Sequence, residues 1–165
     1  MSLNRFESEC SDYLERRERE FLRRSTKEGM GTPKCNLSTN SYLRMECDNE
    51  VNAEALKLSY NRLSGSTASR LVYSEKDLYP SLEKELSDLK GSEASLLFNS
   101  GYTANTGILQ ATASRKSEVF SDRLNHASII DGIKLSQAKS RRYRHCDTNH
   151  LESLLKKSKA DKRII

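Results

Sequence analysis

Residues 98–107, FNSGYTANTG, have the types and spacing of residues that can bind a phosphate group. Residues 95–98 show the apolar pattern of a short buried strand, and the residues from Tyr102 onward suit a helix. Gly101 stands between them and is predicted to adopt a backbone conformation that other residues avoid. A phosphate here would meet free backbone N–H groups and the positive end of the helix dipole. The junction therefore predicts an anion site, although most such junctions in α/β proteins are simple turns.

The three histidines of the chain lie downstream of this junction, and their spacing alone favours structural roles. His126 stands at a predicted helix start in residues 122–132, DRLNHASIIDG, where a histidine most often caps the helix. His145 and His150 stand where a predicted strand ends and the next helix begins. No second histidine, cysteine or carboxylate lies at a spacing typical of metal ligands, so the sequence predicts no metal site.

Taken together and in this order, these segments resemble the α-oxoamine synthases. The resemblance also includes residues 36–43, NLSTNSYL, and residues 65–71, GSTASRL, and it spans about residues 36–155. It implies the aspartate-aminotransferase fold, PLP fold type I, an α/β fold with a parallel-rich sheet between helices. It also implies pyridoxal 5'-phosphate (PLP) as the cofactor, and the condensation of an amino acid with an acyl-CoA with release of carbon dioxide.

The same resemblance assigns roles to five residues. The backbone N–H groups of Gly101 and Tyr102 would hold the phosphate of PLP. His126 would stack on the pyridine ring of the cofactor and approach the substrate. Arg23, or its neighbour Arg24, would reach the acyl substrate from the N-terminal helix, and Asn40 lies in the family's substrate-side segment. A solvated arginine without a ligand is the alternative for Arg23.

Members of this family are much longer than 165 residues, and the resemblance implies that the Schiff-base lysine lies beyond Ile165. We therefore expect no catalytic residue within this chain and no activity of the chain by itself. Residues 1–35 are predicted to form an N-terminal helical extension, and residues 36–165 the first part of the PLP-dependent transferase large domain. The full-length protein is expected to be a homodimer, since the family builds its active site between two subunits. The sequence leaves open which amino acid and which acyl-CoA react.

Two functions of other classes remain open. A non-catalytic partner subunit, as in serine palmitoyltransferase, would also lack the Schiff-base lysine. A nucleic-acid module is suggested by residues 134–165, which hold ten lysines and arginines against three acidic residues. Tyr143 is the single aromatic residue in that segment, which disfavours nucleic acid as a partner. Solvated helix faces or an anionic ligand such as coenzyme A would explain the same charge.

Several helices and a strand are predicted before the candidate site. Apolar residues at spacings of three, four and seven predict an amphipathic helix over residues 3–26. Asp48 is a predicted N-cap for a second helix, and a third helix from about Tyr79 is predicted to end at Gly91. A short strand is predicted near residues 36–39.

From residue 95 the chain is predicted to alternate strands with helices. The strands are predicted near residues 95–98, 118–121 and 141–145 and from residue 163, and the helices near residues 102–113, 126–138 and 148–158. Such alternation predicts a parallel sheet covered by helices on both faces. Ligands bind beyond the carboxyl ends of parallel strands, which is where Gly101, Asp122 and His126 are predicted to lie.

The composition, with 35% hydrophobic and 31% charged residues and a net charge of +5, is typical of a soluble globular protein. No apolar stretch approaches the ~18 residues that cross a bilayer, and the first residues lack the apolar core of a signal peptide. The four cysteines are too scattered for a zinc knuckle or an obvious disulfide framework: Cys10, Cys35, Cys47 and Cys146. We therefore predict reduced thiols, a cytoplasmic location and no membrane span.

Overall fold

The computed structural model describes residues 3–23, 37, 39–60, 65–66, 68–72 and 78–165. The chain divides into two compact units, residues 1–64 and residues 65–165. The first unit contains α1 (Leu3–Arg19), a short 3-10 helix (Met45–Cys47) and α2 (Asn49–Ser59). The second contains α3 (Leu78–Lys90), α4 (Gly101–Thr112), β1 (Ser117–Asp122), α5 (Ala127–Ser136), β2 (Lys139–Tyr143), α6 (Thr148–Lys157) and β3 (Lys162–Ile164). The predicted domain boundary after residue 35 stays a prediction.

Helix α1 is shorter than its amphipathic pattern predicts. It ends at Arg19, because Phe21 adopts a left-handed backbone with φ of 55°. The N–H of Phe21 then bonds to the carbonyl of Glu18 at 3.0 Å, and that of Leu22 to the carbonyl of Arg17 at 2.8 Å. These two bonds are those of a Schellman motif, which stops a helix by satisfying its last carbonyls. The predicted extension through residues 24–26 lies outside the described residues.

The predicted N-cap of α2 and the predicted C-terminal glycine of α3 are confirmed. Asp48 caps α2, since its Oδ1 accepts the N–H groups of Glu50 at 2.9 Å and Val51 at 3.0 Å. Gly91 follows α3 with φ of 63°, a conformation that glycine adopts without the steric cost of a Cβ. The predicted strand at residues 36–39 falls largely outside the described residues.

A three-stranded parallel sheet in the order β2–β1–β3 forms the centre of the second unit, as the alternating pattern predicts. The prediction of a strand at residues 95–98 is wrong, because the described residues offer this segment no neighbouring strand. Glu83 of α3 provides hydrogen-bond acceptors for this segment instead of a neighbouring strand. Its side chain accepts the N–H of Leu97 at 2.8 Å, and its carbonyl accepts the hydroxyl of Ser95 at 2.6 Å.

The core of this unit lies where α4 and α5 pack on β1. Its most buried apolar side chains are Leu109, Ala113, Val119, Phe120 and Ile133. Gly132 makes the close approach of the two helices possible, since a Cβ there would lie 2.8 Å from Leu109 Cδ1 and 3.1 Å from the carbonyl oxygen of Asn105. The packing fixes how the first turns of α4 and α5 are placed. In the described part of the chain, no helix is long and apolar enough to cross a membrane.

Candidate cofactor-binding site

In the described part of the chain, two backbone donors in the first turn of α4 have no protein partner. Ser100 caps the helix in an extended conformation: its Oγ accepts the N–H of Thr103 at 3.1 Å, and its carbonyl accepts that of Ala104 at 3.0 Å. Among the described residues, no hydrogen-bond acceptor meets the N–H groups of Gly101 and Tyr102. The first N–H groups of a helix and its dipole attract an anion, so the predicted anion site has its donors in place.

The reason for glycine at position 101 differs from the prediction. Gly101 is the first residue of α4, and its φ is not positive, so the predicted special backbone conformation is wrong. Outside its chain neighbours and the backbone of its own helix, a Cβ at this position would meet no atom of the described residues within 4 Å. The glycine therefore leaves the helix start uncovered, and an anion can approach its backbone closely.

His126 caps α5 and keeps one ring nitrogen free. Its Nδ1 accepts the N–H of Ser128 at 3.2 Å and lies 2.7 Å from the hydroxyl of Ser128. Because Nδ1 accepts a backbone N–H, the neutral ring carries its proton on Nε2. Nε2 has no hydrogen-bond partner among the described residues, and the side chain is exposed. The capping role expected from the pattern is confirmed, and the exposed ring with its Nε2–H can still meet a ligand.

Hydrogen bonds between α4 and α5 bring the three candidate cofactor residues together. Asn105 donates to the hydroxyl of Ser128 at 2.9 Å, and Ser128, which is fully buried, holds the His126 ring. The Tyr102 hydroxyl donates to Asp131 Oδ2 at 2.8 Å. That bond raises the pKa of Tyr102 above its ordinary value and lowers the pKa of Asp131. Two separate sets of hydrogen bonds, Asn105–Ser128–His126 and Tyr102–Asp131, thus join α4 to α5.

Sequence reasoning missed the supporting residues of these two sets. Ser128 and Asp131 stand three residues apart on α5, a spacing that places both on one helix face. That spacing could have been recognised in the sequence as a polar face of the helix. Their partners on α4, Asn105 and Tyr102, are 23 and 29 residues away in sequence, so only the packing of the two helices identifies them.

The two substrate-side candidates belong to the first unit. Arg23 follows α1 and donates to Glu18 Oε2 at 2.6 Å, with 47% of its side chain exposed. Asn40 is exposed, and its carbonyl accepts the N–H of Tyr42 at 2.9 Å. The roles of Arg23 and Asn40 toward a substrate stay predictions.

A second polar group lies at the carboxyl ends of β1 and β2, and it brings together in space three residues whose spacing in the sequence is not typical of metal ligands. Asp122, His145 and Cys146 each offer one ligand atom, and these atoms lie within 4.8 Å of one another. The N–H of Leu124, followed by the N–H of Cys146 and the His145 ring, lowers the pKa of Asp122 below its ordinary value. Asp147 caps α6, since its Oδ1 accepts the N–H of His150 at 2.8 Å.

Comparison with known proteins adds a family and several relatives. The family model "Aminotransferase class I and II" matches residues 32–165. A protein of Bacillus cereus (strain G9842), described as an 8-amino-7-oxononanoate synthase, is 48% identical over 128 residues. The match covers 78% of this chain and 32% of that protein, so the chain spans about a third of the length of the curated relatives it matches.

Three solved structures share the fold. A Sphingomonas wittichii serine palmitoyltransferase has a TM-score of 0.71 at 29% identity, covering 74% of this chain and 31% of that one. An 8-amino-7-oxononanoate synthase from Francisella tularensis has a TM-score of 0.60 at 30% identity, covering 71% and 32%. A structure described as SPT with PLP has a TM-score of 0.72 at 28% identity, covering 76% and 32%. The aminotransferase-like fold and the resemblance to α-oxoamine synthases are confirmed.

Proposed function

The chain belongs to the aminotransferase class I and II family, and from this premise we propose that it is the PLP-binding N-terminal part of an acyltransferase. The proposed reaction condenses an amino acid with an acyl-CoA and releases carbon dioxide. The observation that carries the proposal is the pair of free N–H groups at Gly101 and Tyr102, joined to the His126 cap through the contacts between α4 and α5.

The residues of the second unit fit the cofactor. PLP, when bound, supplies an electron sink that stabilises negative charge on the substrate's α-carbon. The N–H groups of Gly101 and Tyr102 and the positive end of α4 would hold its doubly charged phosphate. The exposed ring of His126 would lie against the pyridine ring, with its Nε2–H available to a substrate carboxylate or carbonyl oxygen.

The hydrogen bonds behind these residues would keep them in position. Ser128 is buried and hydrogen-bonded both to His126 and to Asn105, so rotation of the imidazole would break a buried hydrogen bond. Tyr102 is tethered through its hydroxyl to Asp131, which holds the first turn of α4 against α5. Pre-positioned donors of this kind bind an anion without first losing conformational entropy. Arg23 and Asn40 are proposed to serve the substrate.

We place the substrate pair nearest to that of 8-amino-7-oxononanoate synthase of biotin biosynthesis, namely alanine and a pimeloyl thioester. The 48% identity to the Bacillus cereus protein supports this choice. Glycine C-acetyltransferase, which uses glycine and acetyl-CoA, is the alternative, because residues 121–134 suit it equally. The serine palmitoyltransferases among the similar structures favour, as a second candidate, a non-catalytic partner subunit. The full-length protein is proposed to be a cytoplasmic homodimer.

A chimera tests the proposed reaction. The matched 128-residue segment of the Bacillus cereus protein is replaced by the corresponding segment of this chain. Circular dichroism and PLP absorbance establish that the chimera folds and holds the cofactor. We expect release of free CoA with alanine plus pimeloyl-CoA. Preference for glycine plus acetyl-CoA would move the assignment to the alternative, and a folded, PLP-loaded chimera inactive with both pairs would contradict the proposal.

We propose that the 165-residue chain by itself is inactive and forms no covalent bond with PLP. The resemblance places none of its lysines, including Lys90, Lys116 and Lys134, at the position of the family's nucleophile. Borohydride reduction in the presence of PLP, followed by peptide mapping, should give no stoichiometric adduct. A single modified lysine at full occupancy would overturn this part of the proposal.

A further inference from the structure

Register places three different metal-ligating groups at one edge of the sheet. Asp122 ends β1 and pairs with Tyr143, the last residue of β2. Two residues later the chain turns back, and this turn carries His145 and Cys146. A carboxylate, an imidazole and a thiol from segments more than twenty residues apart therefore meet at one point.

The ligand atoms of these three groups lie within 4.8 Å of one another, close enough to surround one small cation. Nδ1 of His145 lies 3.1 Å from Asp122 Oδ1 and 3.2 Å from Oδ2, and 3.7 Å from Cys146 Sγ. In a tetrahedral zinc site, with Zn–N near 2.1 Å and Zn–S near 2.3 Å, neighbouring ligand atoms lie about 3.3–3.7 Å apart. Small side-chain rotations would therefore let all three groups reach the same ion.

Backbone N–H groups orient the Asp122 carboxylate and leave lone pairs on both of its oxygens. Oδ1 of Asp122 accepts the N–H of Leu124 at 2.8 Å, and Oδ2 accepts the N–H of Cys146 at 3.0 Å. Each oxygen keeps a second lone pair, which a cation can take. Cys146 has a left-handed backbone with φ of 52°, which few residues other than glycine adopt, and this conformation keeps its thiol beside the imidazole.

We propose that Asp122, His145 and Cys146 form a three-ligand site for Zn²⁺. Mixed sulfur, nitrogen and oxygen donors suit a borderline-soft ion of this kind better than magnesium or calcium. The side chain of His145 is 54% exposed, so solvent or an exchangeable ligand completes the fourth position. On binding, the imidazole proton moves from Nδ1 to Nε2, the thiol proton leaves to solvent, and the thiolate bonds to the metal.

The test uses the 165-residue chain with Zn²⁺ alone in a chelator competition, and with Co²⁺ alone as a spectroscopic probe. We expect one equivalent of metal to bind and the cobalt form to show a thiolate-to-metal charge-transfer band. The variants Cys146→Ser and His145→Gln each remove one ligand and should weaken zinc binding by at least about tenfold. Cys146→Ser should also abolish the cobalt band. Cys47→Ser, which changes another exposed cysteine, is the matched control and should change neither reading.

Circular dichroism checks the fold of each variant. If Cys146→Ser fails to fold, the proposal is tested with a variant that keeps Cys146 and replaces the other three cysteines by serine. The cobalt band must persist in this variant, because Cys146 is then its one remaining thiol. A chain that binds no stoichiometric zinc would overturn the proposal. So would zinc affinity and a cobalt band that are unchanged in both ligand variants. None of these results depends on PLP binding, so they do not test the proposed acyltransferase function.

Discussion

Replacing Gly101 by proline removes one proposed phosphate donor while leaving the helix intact. Proline is well tolerated at the first position of a helix, where its missing N–H has no partner within the helix. Ser100, the residue before it, is already extended, with φ of −159° and ψ of 155°, as a residue that precedes proline must be. Outside its chain neighbours and its own helix, a Cβ at Gly101 would meet no described atom within 4 Å.

The expected loss follows from the number of donors at the start of α4. The N–H groups of Thr103 and Ala104 are occupied by Ser100, which leaves those of Gly101 and Tyr102 for the phosphate. A hydrogen bond to a charged group contributes about 1.5–3 kcal/mol. Since each 1.4 kcal/mol changes affinity tenfold, losing one donor should weaken PLP binding by about 10- to 150-fold.

The assay is a PLP titration of the cofactor-free chimera, with pyridoxal as the probe that lacks a phosphate. Gly101→Pro should weaken PLP binding and leave pyridoxal binding within about threefold of its original value, because only the phosphate uses the missing donor. Gly101→Ala is the matched control, since it adds the Cβ that proline also adds but keeps the N–H, so only the loss beyond that of Gly101→Ala measures the missing donor. Equal losses for PLP and pyridoxal, or equal losses in the two variants, would refute the reasoning.

Three further predictions concern packing, charge and capping. Gly132→Ala should lower the urea midpoint with an unchanged slope, because overpacking against Leu109 costs about 1–3 kcal/mol and exceeds the helix-propensity gain of at most ~1 kcal/mol. Gly65→Ala is its control, since a Cβ at Gly65 would meet no described atom within 4 Å. Hydrogen bonds from Arg141, Ser158 and Lys139 lower the pKa of Glu118 from 4.5 to about 2, so the stability that Glu118 contributes is present above pH 4.5 and is lost as the pH falls toward 2. Glu118→Gln should therefore reduce the free energy of unfolding at pH 7. Urea unfolding at several pH values should show this difference from the original protein shrinking below pH 4.5. Asp48→Ala should destabilise α2 by about 0.5–2 kcal/mol and speed amide exchange in that helix, and unchanged exchange would argue against the cap.

The local signals in the sequence predicted most of the fold of the second unit. Alternating patterns located three strands and three helices to within a few residues, because turn residues and apolar periodicity act over short distances. The segment 95–98 shows the limit of this reasoning. Its apolar run suits a strand, but a strand also needs a neighbour. Here the Glu83 carboxylate accepts the backbone N–H of Leu97, and the Glu83 carbonyl accepts the side-chain hydroxyl of Ser95.

The candidate site was predictable only in part. Gly101, Tyr102 and His126 were identified through motifs, and the structure places them at the starts of two packed helices. The cluster of Asp122, His145 and Cys146 was not predicted, because it depends on the register between β1 and β2 and on the left-handed backbone of Cys146. Register and long-range packing arise from the whole core, which pattern reasoning on one sequence does not supply.

The central claim is that the phosphate of PLP binds at the backbone N–H groups of Gly101 and Tyr102. The most direct test is a titration of the ¹⁵N-labelled 165-residue chain with PLP, followed by the amide resonances in two-dimensional NMR spectra. We predict that the amides of Gly101 and Tyr102 shift most, that inorganic phosphate competes for the same sites, and that pyridoxal leaves them unmoved. Shifts centred elsewhere, or equal shifts with pyridoxal, would contradict the claim.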